Sequence, residues 1–131
     1  MNKFNLRVSY RDTDKMGTVY YANYLVFFEQ GRSEFMREVG FTYRQLEELD
    51  LFFPVMHTEC NYHSPAKYDD LLTIETSISE LKNASVIFAY KIKCGDKLIA
   101  TGSTKHPLVN KLFKPIRIPK DLKSILEEHI N

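Results

Sequence analysis

Apolar and polar residues alternate from Phe4 to Arg11, the two-residue period of a strand with one buried face. An acidic turn, Asp12 to Gly17, breaks the alternation, and Gly17 suits a positive φ or a close backbone approach. From Tyr24 the period lengthens. Tyr24, Phe27, Phe28, Gly31, Phe35, Met36 and Val39 form one apolar stripe at helical spacing. Glu29, Arg32, Glu34, Arg37 and Glu38 fill most of the remaining circumference, and Gly40 is placed to end the helix. Glycine inside the stripe costs about 1 kcal/mol of helix propensity relative to alanine. Gly31 therefore predicts a close neighbouring backbone, as when a sheet wraps around the helix.

Thr42 is placed to cap a short second helix through Arg44 to Leu49. The two-residue period then returns in four stretches, Phe53 to Tyr62, Leu72 to Ser79, Val86 to Cys94 and Lys97 to Val109. Ser64 to Asp70 is a proline-punctuated loop, and Gly95-Asp96 reads as a two-residue hairpin turn. Pro115 and Pro119 exclude a central strand from Lys114 to Pro119, and Asp121 to His129 predicts a terminal helix. One long helix cannot cover both faces of five strands, and hairpin-linked strands argue against a doubly wound sheet. The expected class is α+β: a curled five-stranded antiparallel sheet around one long helix, with a short second helix and a short C-terminal helix. A single domain over residues 1–131 is expected. Strand positions that stay apolar on the outer face predict a homo-oligomer, at least a dimer.

A formal net charge of +1 gives no broad basic field, which argues against a nucleic-acid partner. Cys60 and Cys94 form no C-x-x-C pair and read as reduced thiols, so a cytoplasmic setting is expected. No stretch has the roughly 18 uninterrupted apolar residues of a membrane span, and no signal peptide is read at the N-terminus.

The chemistry concentrates between Arg11 and Tyr24, where two carboxylates sit in a polar turn just before the long helix. A carboxylate acts as base or nucleophile, and helix-terminal N–H groups favour developing negative charge. Asp12 and Asp14 also suit a tight turn, whose backbone Asp side chains commonly bond. A metal site lacks the further oxygen ligands of a calcium loop, and His57, His63, His106 and His129 make no ligand pair. No G-x-S-x-G, P-loop or G-x-G-x-x-G is present. The aromatic run Tyr20, Tyr21, Tyr24, Phe27 and Phe28 serves as core, with Tyr20 or Tyr24 free to line a cleft. Read from residues alone, the chain is an α+β domain whose acidic turn is compatible with hydrolysis.

The series Arg7-Val8, Thr13-Asp14, Gly17, Val19-Tyr20-Tyr21, Asn23-Tyr24, Phe28-Glu29 and Gly31-Arg32 resembles the 4-hydroxybenzoyl-CoA thioesterase family, in particular its YbgC-like acyl-CoA thioesterases. Tyr62-His63-Ser64-Pro65-Ala66, Asp69-Asp70, Pro115 and Pro119 extend the resemblance over nearly the whole chain. It implies the hotdog fold, assembled as dimers or tetramers, with a homotetramer expected here. It implies an acyl-CoA thioester hydrolase that needs no metal and no cofactor beyond the CoA moiety of its substrate. The family's carboxylate falls on Asp14, leaving Asp12 structural, and its oxyanion donor falls on the backbone N–H of Tyr21. Many relatives carry His where this chain has Tyr21. Tyr20 and Tyr24 are the expected substrate contacts, and Lys67, Lys82, Lys114 and Arg117 are candidates for the CoA phosphates. An acyl carrier protein is the alternative carrier. A non-catalytic acyl-CoA-binding module is the alternative function, with a hotdog dehydratase behind it for want of a His-bearing loop.

Overall fold

A computed structural model describes residues 1–130; Asn131, last residue of the expected 1–131 domain, lies outside the described residues. The elements run β1 (Asn2–Arg7), α1 (Asn23–Glu38), α2 (Tyr43–Glu48), β2 (His57–Tyr62), β3 (Leu71–Leu81), β4 (Ser85–Cys94), β5 (Lys97–Pro107) and α3 (Lys120–Glu127). The strands form one antiparallel sheet in the order β1-β3-β4-β5-β2, so β1 and β2 hold its edges. This is the hotdog arrangement, a long helix held by a curled sheet.

The apolar stripe of α1 supplies the core. Tyr24, Phe27, Phe28, Phe35 and Met36 are buried against Ile74, Ile78, Phe88, Tyr90 and Ile92 of the sheet. Each such side chain contributes about 1.5–3 kcal/mol by leaving water. Phe28 stacks on Tyr90 with ring centroids 4.4 Å apart, and Phe35 meets Phe88 edge to face at 5.5 Å. The helix ends as its sequence predicts. Gly40 adopts φ 89°, Phe41 N–H reaches the Met36 carbonyl at 3.0 Å, and Gly40 N–H reaches that of Arg37 at 3.2 Å, a Schellman closure. Thr42 and Gln45 then bond reciprocally, side chain to backbone, at 3.1 and 2.9 Å to start α2.

Several expectations need correction. The first strand stops at Arg7 rather than Arg11, because Ser9 and Asp12 close a 3-10 turn over Tyr10–Asp12. The strand expected from Phe53 begins at His57; Pro54 donates no N–H, and only Phe52 makes an isolated bridge, to Val109. At Gly31 the close neighbours are side chains, not a backbone. An added Cβ would lie 2.7 Å from both Ile74 Cγ2 and Thr76 Oγ1 of β3. Glu75 and Ser77, the polar positions in the alternation of β3, are buried as well as its apolar ones, Glu75 pairing with Lys93 at 3.3 Å.

Arg32, expected on the surface, is buried too. Its Nη1 donates to the Tyr90 hydroxyl at 3.1 Å, Tyr90 lies 2.6 Å from Thr104 Oγ1, and Thr104 lies 2.7 Å from His106 Nε2. His106 Nδ1 lies 3.0 Å from the Phe53 carbonyl. A carbonyl only accepts, so Nδ1 carries the proton. In neutral His106, Nε2 then accepts from Thr104, whose oxygen accepts from Tyr90, whose oxygen accepts from Arg32. One polarised chain thus ties α1 to β4, β5 and the segment before β2.

Candidate active site

The acidic turn folds as a small hairpin between β1 and α1. Tyr20 N–H donates to Asp12 O at 2.9 Å, Thr13 bridges Val19, and Asp14 N–H donates to Thr18 O at 2.9 Å. Gly17, at φ 77°, closes the tip with an N–H bond to Asp14 O at 3.0 Å. Asp14 therefore lies two residue steps, roughly 7 Å along the hairpin, from the level where the chain turns into α1. The hairpin is anchored on the loop after β2. Val19 N–H donates to Ala66 O at 2.8 Å, Tyr68 N–H donates to Gly17 O at 3.3 Å, and Thr18 bridges Lys67.

The two carboxylates have different surroundings. Asp12 Oδ2 accepts from both the Ser9 N–H and the Ser9 hydroxyl, each at 2.9 Å, which makes it a turn residue. Asp14 is exposed; its Oδ1 accepts from Met16 N–H at 2.9 Å and faces the Thr18 hydroxyl at 3.5 Å. Its Oδ2 bonds nothing among the described residues.

Just before α1, the N–H groups of Tyr21 and Ala22 also donate to nothing among the described residues. Their peptide planes are fixed from the carbonyl side. Tyr20 O accepts from Asn23 N–H at 2.9 Å, while Tyr21 O accepts from Tyr24 N–H at 3.4 Å and the Tyr62 hydroxyl at 3.3 Å. In trans peptides the N–H points opposite to the C=O, so both donors are aimed away from α1. Asn23 Nδ2, donating to Asp12 O at 2.9 Å, ties the helix start to the hairpin. Tyr62 is the residue that sequence reasoning missed. Its alternation marks a strand, and nothing local says that its hydroxyl crosses to Tyr21. Desolvation, then the Cys60 thiol, push its phenol up to about 12, so it stays a donor at neutral pH.

The other expected contacts divide by location. Tyr20 and Tyr21 are exposed, with ring centroids 4.8 Å apart. Tyr24 is only 4% exposed, with its hydroxyl accepting from Ala66 N–H at 3.4 Å. It does not line a cleft of this chain; it packs the hairpin's anchor against α1. Lys67 lies beside the hairpin. Lys82, Lys114 and Arg117 do not join it. Lys82 follows the far end of β3, an eleven-residue strand whose near end meets Val8 through Asp70. That strand is roughly 35 Å long at about 3.3 Å per residue. Lys114 and Arg117 lie at the same far end, where Ile118 N–H meets the Asn83 carbonyl and Lys114 closes a loop on Asn110.

Among the described residues, no three His, Cys, Asp or Glu side chains are grouped to hold a metal ion. Nor is any helix among them long and apolar enough to cross a membrane.

Comparison with known proteins follows the same lines. The "Acyl-CoA thioesterase YbgC" of Haemophilus influenzae is 39% identical over 123 residues, covering 92% of this chain and 90% of that protein. A probable thioesterase from Bartonella henselae superposes with a TM-score of 0.86 at 43% identity, over 90% of this chain and 98% of that one. A gentisyl-coenzyme A thioesterase superposes at 0.88 with 30% identity, over 93% and 99%. The sequence model of the thioesterase superfamily matches residues 16–101, from the turn after Asp14 into β5, and the chain belongs to that superfamily.

Proposed function

We propose that this enzyme hydrolyses acyl-CoA thioesters, with Asp14 as general base or nucleophile and the Tyr21 N–H, beside that of Ala22, as oxyanion donor. One observation carries the reading: two outward-aimed, unsatisfied N–H groups at the start of α1, beside a hairpin that holds a carboxylate with one oxygen free. The acyl-CoA thioesterases named among its relatives support the substrate class.

The thioester carbonyl oxygen sits on the N–H groups, which gain most as it becomes an oxyanion. On the base route, Asp14 removes a proton from water as that water adds to the carbonyl carbon. Collapse of the tetrahedral adduct breaks the carbon–sulfur bond, the CoA sulfur leaves as thiolate and takes up a proton, and a carboxylic acid remains. On the nucleophilic route the Asp14 oxygen adds first, thiolate leaves, and water hydrolyses the mixed anhydride. Thiolate is a good leaving group, so neither route requires a metal.

The exposed edge strand β2 is the natural seam for a second copy, since an unpaired strand edge recruits another. Antiparallel pairing of β2 across a two-fold axis would set one chain's hairpin end beside its partner's far end. Lys82, Lys114 and Arg117 would then serve the phosphates of a ligand in the neighbouring site, with Lys67 from the site's own chain. We place the enzyme in the cytoplasm on the reduced state of Cys60 and Cys94.

The test is thiol release from a panel of short, long and aromatic acyl-CoAs. Asp14→Asn lowers kcat/KM about a hundredfold or more, while Asp12→Asn, at a carboxylate turned onto Ser9, has far less effect. Folded Asp14→Asn protein with wild-type turnover would remove Asp14 from the mechanism. A covalent acyl-protein adduct trapped for mass spectrometry marks the nucleophilic route.

A further inference from the structure

The hairpin Asn110–Lys114, at the end of the sheet far from Asp14, presents Leu112 and Phe113 71% and 75% exposed. It is held firmly for so apolar a tip. Asn110 N–H donates to Lys114 O at 3.1 Å, and Phe113 N–H donates to Asn110 O at 2.9 Å. The Asn110 side-chain oxygen accepts from both Leu112 N–H and Lys114 N–H, at 2.9 and 3.1 Å. Asp50 accepts from Lys111 N–H at 3.2 Å. Phe113 is kept at φ 60°, a left-handed conformation that costs a non-glycine residue free energy. The loop therefore spends stability to hold two apolar side chains out in water.

Cations predominate in the sequence around the same tip, with the Asp50 carboxylate meeting it at Lys111 N–H. Between Asp96 and Asp121 the chain has no acidic residue, and Lys111 and Lys114 flank the apolar pair directly, with Arg117 and Lys120 following. All four are exposed, and none forms an ion pair among the described residues.

We propose that the Lys111-Leu112-Phe113-Lys114 tip docks the protein onto a bilayer surface rich in anionic lipid. Leu112 and Phe113 enter the boundary between headgroups and acyl chains, and the lysines meet the lipid phosphates. The unpaired cations around the tip favour this occupant over a basic or neutral protein surface. Phe113 lines a cavity with Phe52, Phe53 and Val109, whereas Leu112 lies outside it and is 71% exposed; a protein would need a preformed pocket for Leu112, whereas a bilayer deforms around it. Apolar residues between cations are the composition of an interfacial anchor. The proposal does not depend on the reaction assigned to Asp14; it shares Lys114 with the phosphate contacts proposed above, so its test varies Lys111, Leu112 and Phe113 and leaves Lys114 in place.

The chain has no tryptophan, so Phe113→Trp places a single tryptophan, excited apart from the tyrosines, at the tip. On vesicles of phosphatidylcholine with phosphatidylglycerol its emission shifts to the blue and is quenched by brominated lipid; on phosphatidylcholine alone both effects are weak. In co-sedimentation with the same vesicles, Leu112→Ser with Phe113→Ser lowers binding at least about tenfold. Lys111→Ala lowers it about fivefold. Circular dichroism and thiol release of these variants stay at wild-type values. Vesicle binding that survives the serine pair, or no vesicle-dependent shift in folded Phe113→Trp protein, overturns the proposal. A blue shift without vesicles, with a lower molecular mass for the serine pair, overturns it in favour of an interface between copies. A shift produced by an acidic carrier protein and not by vesicles overturns it in favour of a protein partner.

Discussion

Keeping His106 neutral in its buried site should make this protein lose stability as the pH falls through the mildly acidic range. The side chain is completely buried. That burial first, and then the Arg32 guanidinium, lower its pKa from 6.5 to about 4, against the carbonyls of Phe53 and Pro54, which favour the charged ring. Above 6.5 the ring is neutral in both folded and unfolded chains and contributes no slope. Between 6.5 and about 4 the unfolded chain binds a proton that the folded chain refuses, so stability falls with pH. Below about 4 both states are protonated and the loss levels off. At about 1.36 kcal/mol per pH unit, the loss over the interval from 6.5 to about 4 approaches 3 kcal/mol. That is a large part of the roughly 5–15 kcal/mol that holds a typical domain together. The hydrogen bonds give the same sign, because a protonated Nε2 becomes a donor to Thr104, whose hydroxyl must then turn onto a Tyr90 oxygen that already accepts from Arg32, a group with no acceptor. Urea unfolding from about pH 7 to about pH 4.5, at one protein concentration because assembly shifts apparent stability, measures the wild type against His106→Gln. All other ionisable groups are common to both proteins, so the difference between the curves isolates His106. The wild-type curve should fall more steeply. Parallel curves would refute the claim that His106 is held neutral by burial.

Gly102→Ala should cost about 3 kcal/mol by overpacking, because the new Cβ would run into the Glu59 carbonyl and lie 2.5 Å from Phe28 Cε2. Gly31→Ala should cost less, since helix propensity returns about 1 kcal/mol against the 2.7 Å contacts with Ile74 and Thr76; urea unfolding ranks the two. Tyr62→Phe frees the Tyr21 carbonyl. It should lower kcat/KM about fivefold, worth about 1 kcal/mol, with an unchanged unfolding midpoint. Met56→Lys, exposed immediately before the β2 edge, should lower the mass found by light scattering, since edge lysines oppose strand pairing.

Elements whose boundaries are written in local chemistry were legible in the sequence. The α1 stripe, the Gly40 closure, the Thr42 cap and the Gly95-Asp96 turn between paired Cys94 and Lys97 each depend on residues a few positions apart. Boundaries set by distant partners were not. Arg32 has the spacing of a surface residue on an isolated helix, and only Tyr90, 58 positions away, shows why it is buried. Gly31 signalled a close approach but not whether backbone or side chain made it. Within the candidate site, the acidic turn and the helix start were readable because Asp14, Gly17 and Tyr21 are near neighbours. Tyr62 lies 41 positions from Tyr21 and was not. The candidate phosphate contacts Lys82, Lys114 and Arg117 show a sharper limit. A sequence can nominate basic residues, yet the length of β3 separates these from Asp14 within one chain.

The position of Asp14 relative to the core has a consequence for how such a site changes. Its hairpin leans on the loop after β2 through backbone bonds, from Val19 to Ala66 and from Tyr68 to Gly17, while the buried aromatic core lies under α1 and the sheet. Backbone bonds tolerate many side chains, so residues around Asp14 and Tyr20 can be replaced with little effect on folding. The N–H groups before α1 are main-chain donors as well, so a change of side chain at position 21 does not remove them. What the site cannot lose is the direction of the peptides at Tyr20 and Tyr21. That direction rests on Asn23 and Tyr62, which are held in turn by the helix start and by the edge strand. Specificity is thus free to drift at exposed side chains, while the proposed oxyanion donors stay coupled to the same edge that a second copy would cover.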